Sequence, residues 1–380
     1  MEKFVGKLRE KADCPWSYAT FMNCALYDED IGYYMSNEDK LGKQGDFYTS
    51  NHVHPVFGET FGRFFADIFH KEAILPMVIE WGAGDGRFAF SILRYFYEYE
   101  PFIYDQMNYI IIEASSFHRS ILEEKLKDYT SKVHLFESFE DVKREFPNGE
   151  GILFSNEFID AFPIHVVQKK DGTLFECMVQ NNDNGSLEEI AVKCSNVSLD
   201  EWLSHYGPTD LPDGHRIEIC LNMKRWLIDI SRWIRKGALI TVDYGYTNEE
   251  WTEPEHREGS LRGYYHHEMV ADPLKHIGKM DLTFHVQWDA FNMIAEELGW
   301  LKLYHDTQDR FLKHAGIFRF LSHNTSMNLT PFSEDYKRNR AIQSFVHPGG
   351  ISSSFQVNIQ TKQLHQTKQY LLFTEDPYKI

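Results

Sequence analysis

Short apolar runs alternate with amphipathic stretches through the middle of the chain. "MVIEW" (Met77–Trp81) reads as a strand. "RFAFSILRYFYEYE" follows as a helix, because its apolar positions recur every three or four residues. "NYIIIEAS" (Asn108–Ser115) is a second strand and "FHRSILEEKLKDY" its helix. "VHLFES" is a third strand and "GILFSNEFIDAFP" (Gly151–Pro163) a fourth. Apolar strands separated by helices predict a parallel sheet covered on both faces.

Other patterns flank this block. "PWSYATFMNCALYDEDIGYY" (Pro15–Tyr34) predicts a helix closing in a Gly-Tyr turn, and "VFGETFGRFFADIF" (Val56–Phe69) another helix. The stretch between them is rich in Gly, Asn, Asp and Ser and reads as loop. Past the fourth strand, "IHVVQKKDGTLFECMVQ" alternates around Asp171-Gly172, a strong hairpin signal, and "NNDNGS" is a second turn. A long helix, "ICLNMKRWLIDISRWIR", leads to a buried strand, "GALITVDYG" (Gly237–Gly245). Polar and aromatic residues fill 246–289, "WDAFNMIAEELGW" is helical, and "GIFRFLS" fits helix and strand equally. "SSFQVNIQTK" (Ser353–Lys362) is a last strand. No repeat or low-complexity tract interrupts the chain.

The predicted fold class is therefore α/β: a Rossmann-like sheet with helices on both faces, an N-terminal helical cap, and an inserted hairpin and helical region. Residues 1–70 are expected to form the cap and a lid. Residues 71–380 form the core, with insertions at about 164–235 and 246–290 as a substrate-side subdomain.

Composition narrows the function. The chain has 380 residues, and its net charge of −18 opposes binding to nucleic-acid phosphates. Five scattered cysteines, Cys14, Cys24, Cys177, Cys194 and Cys220, offer no C-x-x-C spacing, so neither a disulfide framework nor a metal site is expected. The first residues, "MEKFVGKLREKAD", lack an apolar h-region, and no run approaches the ~18 residues of a membrane span. A cytoplasmic protein is the expectation.

The chemistry centres on "VIEWGAGDGRFAFSIL" (Val78–Leu93). Glycines between a strand and a helix let backbone N–H groups approach a ligand. A dinucleotide turn is spaced G-x-G-x-x-G. Here the glycines are Gly82, Gly84 and Gly86, followed by Arg87, with Glu80 on the strand before them. That spacing suits S-adenosyl-L-methionine (SAM), which has no pyrophosphate, and Arg87 opposes a dinucleotide oxidoreductase. Glu113, closing the second strand, can accept both ribose hydroxyls. Ala83 and Ala114 join these residues as candidate cofactor contacts. Methyl transfer further needs an aligned nucleophile and, for nitrogen, a proton acceptor. "SNEFIDAFP" offers Asn156, Glu157 and Asp160 after the fourth strand, with Asn156 also a candidate for the cofactor. Asp243 and Tyr244 end the later strand, and Asp281, Thr283 and His285 lie in "DLTFHV". His285 is the fourth catalytic candidate, against the plain reading of a histidine satisfied in the core.

At these motifs the chain resembles the MidA-type SAM-dependent methyltransferases. The likeness runs from "PWSYATFMNCALYDEDIGYY" through "GDFYTSNHVHPVFGETFGRFF", "VIEWGAGDGRFAFSIL", "SNEFIDAFPIHVV" and "GALITVDYGY". It continues in "GSLRGYYHHEMVADPLKHIGKMDLTFHVQW" and "TQDRFLKHAGI". The resemblance implies a class I methyltransferase acting on a protein arginine, since mitochondrial members methylate an arginine of a complex I subunit. The implied partner is a protein substrate such as a respiratory-complex subunit, with a homodimer left open. It also implies that "GDFYTS" folds over the cofactor, making Gly45, Asp46, Tyr48, Thr49 and Ser50 pocket residues and 40–55 a lid. Asn156, Glu157 and Asp160 inherit the substrate side. Two departures stand out: Asn51 and His52 replace a usual Pro-Glu, and Gln287 replaces a usual aspartate. A small-molecule methyltransferase and a SAM-binding assembly factor with little turnover are the competing readings.

Overall fold

The computed structural model describes residues 1–36, 53–182, 184–322, 333–350 and 352–380. The chain divides into two compact units, each assembled from three separated stretches. One comprises Met1–Phe47, Phe158–Ile230 and Tyr244–Leu298; the other comprises Tyr48–Glu157, Ser231–Asp243 and Gly299–Ile380.

The second of these units holds the predicted sheet. Its strands are β1 (Met77–Trp81), β2 (Asn108–Ile112), β3 (Val133–Phe136), β4 (Gly149–Asn156), β5 (Ile234–Asp243), β6 (Leu301–Thr307) and β7 (Gln356–Lys362). They lie in the order β6-β7-β5-β4-β1-β2-β3. β1, β2, β3, β4 and β5 run parallel, whereas β7 is antiparallel to both β5 and β6. This is the Rossmann-like α/β sheet expected from the alternating pattern, with β7 running against its neighbours. The chain order reverses between β1 and β4, and ligands of open α/β sheets bind at that switch, outside the carboxyl ends of the strands.

Helices bury both faces. Helix α1 (Val56–Lys71) packs on α2 (Arg87–Tyr99), and their Phe61, Phe65 and Phe88 rings meet Phe154 of β4. Phe88 stacks on Phe154 at 4.0 Å between centroids. Side chains alternate along a strand, so Trp81 points away from Glu80, to the opposite face. There its ring meets Phe139 at 4.8 Å, and Phe139 meets Trp233. Helix α3 (Ser116–Lys125) follows β2 and is capped by Ser115, whose hydroxyl accepts from His118 N.

The other unit is mostly antiparallel. Thr173–Asn181 pairs with His165–Lys170, Leu187–Lys193 and Trp16–Ser17, and Arg216–Ile219 closes the far edge. The Asp171-Gly172 hairpin forms as its dipeptide predicts, with φ of 48° and 69°. Arg262–Tyr265 pairs with Glu268–Val270 and Asp281–Thr283 in a second sheet. Gly245–Tyr246 and Val286–Gln287 make a short parallel pair.

Three local expectations change. The fourth strand stops at Asn156, because Glu157 turns to φ 50°; a 3-10 turn, Ile159–Ala161, carries the rest of "FIDAFP". The Pro15–Tyr34 helix is shorter than its pattern, Tyr18–Tyr27, since Trp16 and Ser17 pair with Val179 and Met178 first. "GIFRFLS" holds a 3-10 helix, Ile317–Phe320.

The entry edges of β1, β4 and β5 approach so closely that side chains cannot fit. A Cβ on Gly151 (φ 131°) would lie 2.2 Å from Met77 O, and one on Gly237 (φ 154°) 1.9 Å from Gly151 O. Gly151→Ala should therefore lower unfolding free energy by about 3 kcal/mol or more, the combined scale of overpacking and backbone strain. Urea unfolding measures this, and a midpoint equal to wild type would refute the close approach.

Candidate functional site

The turn after β1 uses left-handed backbone at alternate residues. Gly82, Gly84 and Gly86 have φ of 72°, 54° and 75°. Side chains with a Cβ rarely adopt these angles, which is why the segment is so bare. Gly82 N donates to Ile112 O at 3.0 Å, and Gly86 N donates to Ala83 O at 2.9 Å. The glycines differ in use. A Cβ on Gly86 would lie 2.6 Å from Leu122 Cδ2, so its bareness lets α3 pack against the start of α2. Asp85 accepts from Arg87 N at 3.2 Å, from Arg87 Nε at 2.6 Å and from Lys125 Nζ at 3.3 Å. An acid there suits the positive end of α2.

Two buried carboxylates stand on adjacent strands. Glu80 Oε2 accepts from Tyr109 OH of β2 at 2.7 Å. Burial pushes the Glu80 carboxyl up to about 8; the Tyr109 bond opposes this, and Asp85 and Glu113 add to it. Glu113 follows β2, and its Oε1 accepts from Ser115 N at 2.9 Å, where α3 begins. Arg119 Nη1 donates to Glu113 O at 2.8 Å and Ala114 O at 2.7 Å, fixing the backbone around both residues.

The end of β4 is the third component. Asn156 is the last residue of β4 in register with β5, opposite Val242, and Glu157 N still donates to Val242 O at 2.9 Å. Glu157 then adopts left-handed backbone, a strain of order 1–3 kcal/mol for a residue with a Cβ. Asn156 Nδ2 donates to Glu157 Oε1 at 3.1 Å. Asn156 Oδ1 is buried without a hydrogen-bond partner among the described residues. Buried acceptors are normally satisfied, so this atom calls for a donor from a ligand or water. A cofactor with an ammonium group fits that need.

The remaining candidates belong to the other unit. Asp160 lies in the 3-10 turn, 7% exposed, and its Oδ2 accepts from Thr283 Oγ1 at 2.9 Å. His285 is buried against Tyr246, with ring centroids 4.2 Å apart and planes 2° from parallel. Tyr246 also stacks on His256. Burial, with Arg262 and His256 adding to it, holds the His285 imidazole down to about 3. It is therefore neutral near pH 7. Its backbone N donates to Ser260 Oγ, which itself bonds Glu218. Gln287 Oε1 accepts from Trp202 Nε1 at 2.9 Å, so the amide at that position is built into the packing. Gly45, Asp46, Tyr48, Thr49, Ser50 and the 40–52 portion of the expected lid lie outside the described residues.

Comparison with known proteins gives the arrangement its identity. Residues 60–305 match the family described as "Putative S-adenosyl-L-methionine-dependent methyltransferase". The chain belongs to that family. Its cofactor is SAM, and the reaction is methyl transfer. A Xenopus laevis relative, "Protein arginine methyltransferase NDUFAF7, mitochondrial", is 27% identical over 81% of this chain and 72% of its own. The Drosophila melanogaster homolog is 26% identical over 75% of this chain and 68% of its own. A Burkholderia thailandensis structure solved with S-adenosyl-homocysteine superposes with a TM-score of 0.84. It covers 99% of this chain and 95% of its own at 22% identity, which supports the fold. These relatives overturn the cytoplasmic expectation, since both are mitochondrial by name. The missing h-region bears on the secretory route and carries no information about organelle import. No helix among the described residues is long and apolar enough to cross a membrane.

Sequence reasoning missed Tyr109 as the partner of Glu80. A phenol inside "NYIII" was the available signal, because a buried hydroxyl needs a partner. The pair has a pH consequence. Unfolded Glu80 loses its proton near 4.5, and in the native protein near 8. Between those values the native state holds the extra proton, so its stability falls as pH rises. Glu80→Gln should remove that slope. The difference in urea unfolding free energy, wild type minus variant, should decline steadily from pH 5 to pH 8. A constant difference would count against a protonated Glu80.

Proposed function

We propose that the chain methylates an arginine side chain of a protein substrate. The observation that carries this is Glu157, held in left-handed backbone beyond β4 with its carboxylate bonded by Asn156. The names of the relatives support the arginine. Strain at a polar residue beyond a strand end, at the switch of an open sheet, is a hallmark of a working site.

Glu80, Gly82, Ala83, Gly84, Gly86, Glu113, Ala114 and Asn156 are assigned to the cofactor. Gly84 keeps the turn low, Glu113 takes the ribose hydroxyls, and Asn156 Oδ1 takes an ammonium proton. Bound there, SAM supplies a methyl group already activated on a sulfonium. The protein must then align a nitrogen and accept its proton. Arginine is protonated in water, so a carboxylate has to take up that proton as the carbon–nitrogen bond forms. Glu157 and Asp160 are assigned that work, with Glu157 orienting the guanidinium through charge-assisted hydrogen bonds. The stretches 164–235 and 246–290 are assigned to substrate recognition. The first begins eight residues past Asn156, the end of β4, and the second three residues past Asp243, the end of β5.

Gly84→Val should abolish SAM binding in calorimetry while leaving a folded protein, and wild-type affinity would remove the turn from the cofactor site. Glu157→Gln should keep SAM affinity within a few-fold and lower turnover by roughly 10²-fold, the scale of a lost positioned base. The acceptor is tested by incubating a lysate with radiolabelled SAM and the purified protein. Labelled methylarginine in hydrolysed protein is the expected product. Label confined to small molecules would overturn the protein-arginine reading.

A further inference from the structure

Strand Asp281–Thr283 is an edge of the small sheet, antiparallel to Arg262–Tyr265. Residues two apart in a strand share a face, so the Asp281 and Thr283 side chains point the same way. Both are buried, 7% and 3% exposed. Polar groups so far from water need partners, and each finds one distant in sequence. Thr283 Oγ1 donates to Asp160 Oδ2 at 2.9 Å, and the next residue, Phe284, donates its N–H to Asp160 O at 3.0 Å. Asp281 Oδ1 accepts from Tyr34 OH at 2.5 Å. Tyr34 stacks on Tyr27, whose OH donates to Ala161 O at 2.9 Å.

The 3-10 turn that carries Asp160 is thus held from two sides. The Phe284 and Tyr27 bonds grip its main chain, which is all that a structural turn requires. The Thr283 bond is different in kind, because it fixes the carboxylate. A catalytic carboxylate has to sit within about 0.5 Å of its working position. A side chain with several rotamers meets that condition only when a neighbour selects one.

We propose that Thr283 is a positioning residue for the Asp160 carboxylate in methyl transfer, with the Tyr34–Asp281 bond holding the strand that carries it. The proposal rests on the assignment of Asp160 to the acceptor side.

Thr283→Val keeps the shape and removes the hydroxyl; Thr283→Ser keeps the hydroxyl. With radiolabelled SAM and an arginine peptide that the wild type methylates, Thr283→Val should lose kcat by about 10-fold or more. Its KM for SAM should stay within about two-fold, because misplacing a reacting group leaves ground-state binding intact. Thr283→Ser should restore most of the rate. Carbon-13 NMR of aspartate carboxyls in the intact protein, with Asp160→Asn giving the assignment, supplies a readout that needs no acceptor. Losing a donor to the charged form raises a carboxyl's titration midpoint, so Asp160 should titrate at higher pH in Thr283→Val than in wild type or Thr283→Ser. Equal midpoints in all three proteins, or equal rate losses in Val and Ser, would overturn the positioning role. If Asp160→Asn turns over at the wild-type rate, the acceptor-side assignment fails instead. If Asp160→Asn is slow while Thr283→Val is fast, only the positioning role falls.

Discussion

Everything at the carboxyl ends of the parallel strands depends on β4 lying in register between β1 and β5. Trp81 of β1 is level with Ser155, and Val242 of β5 with Asn156. Three strands therefore finish together, and the chain must leave each in a different direction. β1 leaves through left-handed glycines into α2, while β4 leaves through Glu157, which bends despite its Cβ. At the other edge the same strands enter almost in contact. At Gly151 and Gly237 the backbone takes φ of 131° and 154°, and a Cβ there would run into the carbonyl of the neighbouring strand.

Three buried carboxyl groups, Glu80 and Glu113 in this unit and Asp160 in the other, are each held by a different device. Glu80 relies on a phenol from the next strand, Glu113 on an N–H at a helix start, and Asp160 on a threonine hydroxyl. None of these three bonds comes from a lysine or arginine. Neutral donors orient a carboxyl group without adding a counter-charge, whether it is ionised or, like Glu80 with its proton held up to about 8, largely protonated near pH 7.

The parallel strands could be read from the sequence because burial on both faces leaves runs with few polar interruptions. β1, β2 and β5 are of this kind. β6 could not: every residue from Leu301 to Thr307 is exposed or half-buried, and its pattern resembles loop. The helix Glu334–Val346 was hidden by its charges, since its buried residues are only Ala341, Ile342 and Phe345. Among the candidate residues, Glu80, Glu113 and the glycines could be singled out because their spacing is local. Their partners were less so. Tyr34 meets Asp281 across 247 positions, and Asp160 meets Thr283 across 123, distances over which residue spacing carries no signal.

The place of β7 bears on how the protein is made. Residues 356–362 come after both β5 and β6 in the chain, yet they lie between them rather than at an edge. During synthesis β5 emerges more than a hundred residues earlier, with its outer row of backbone N–H and C=O groups still unpaired. An apolar strand with an open edge is a template for association with other chains. Until residues 356–362 have emerged, this row must be shielded by a chaperone, by the nascent β6 or by water. A variant lacking β7 would therefore leave two unpaired edges within the sheet, and aggregation would be its expected fate.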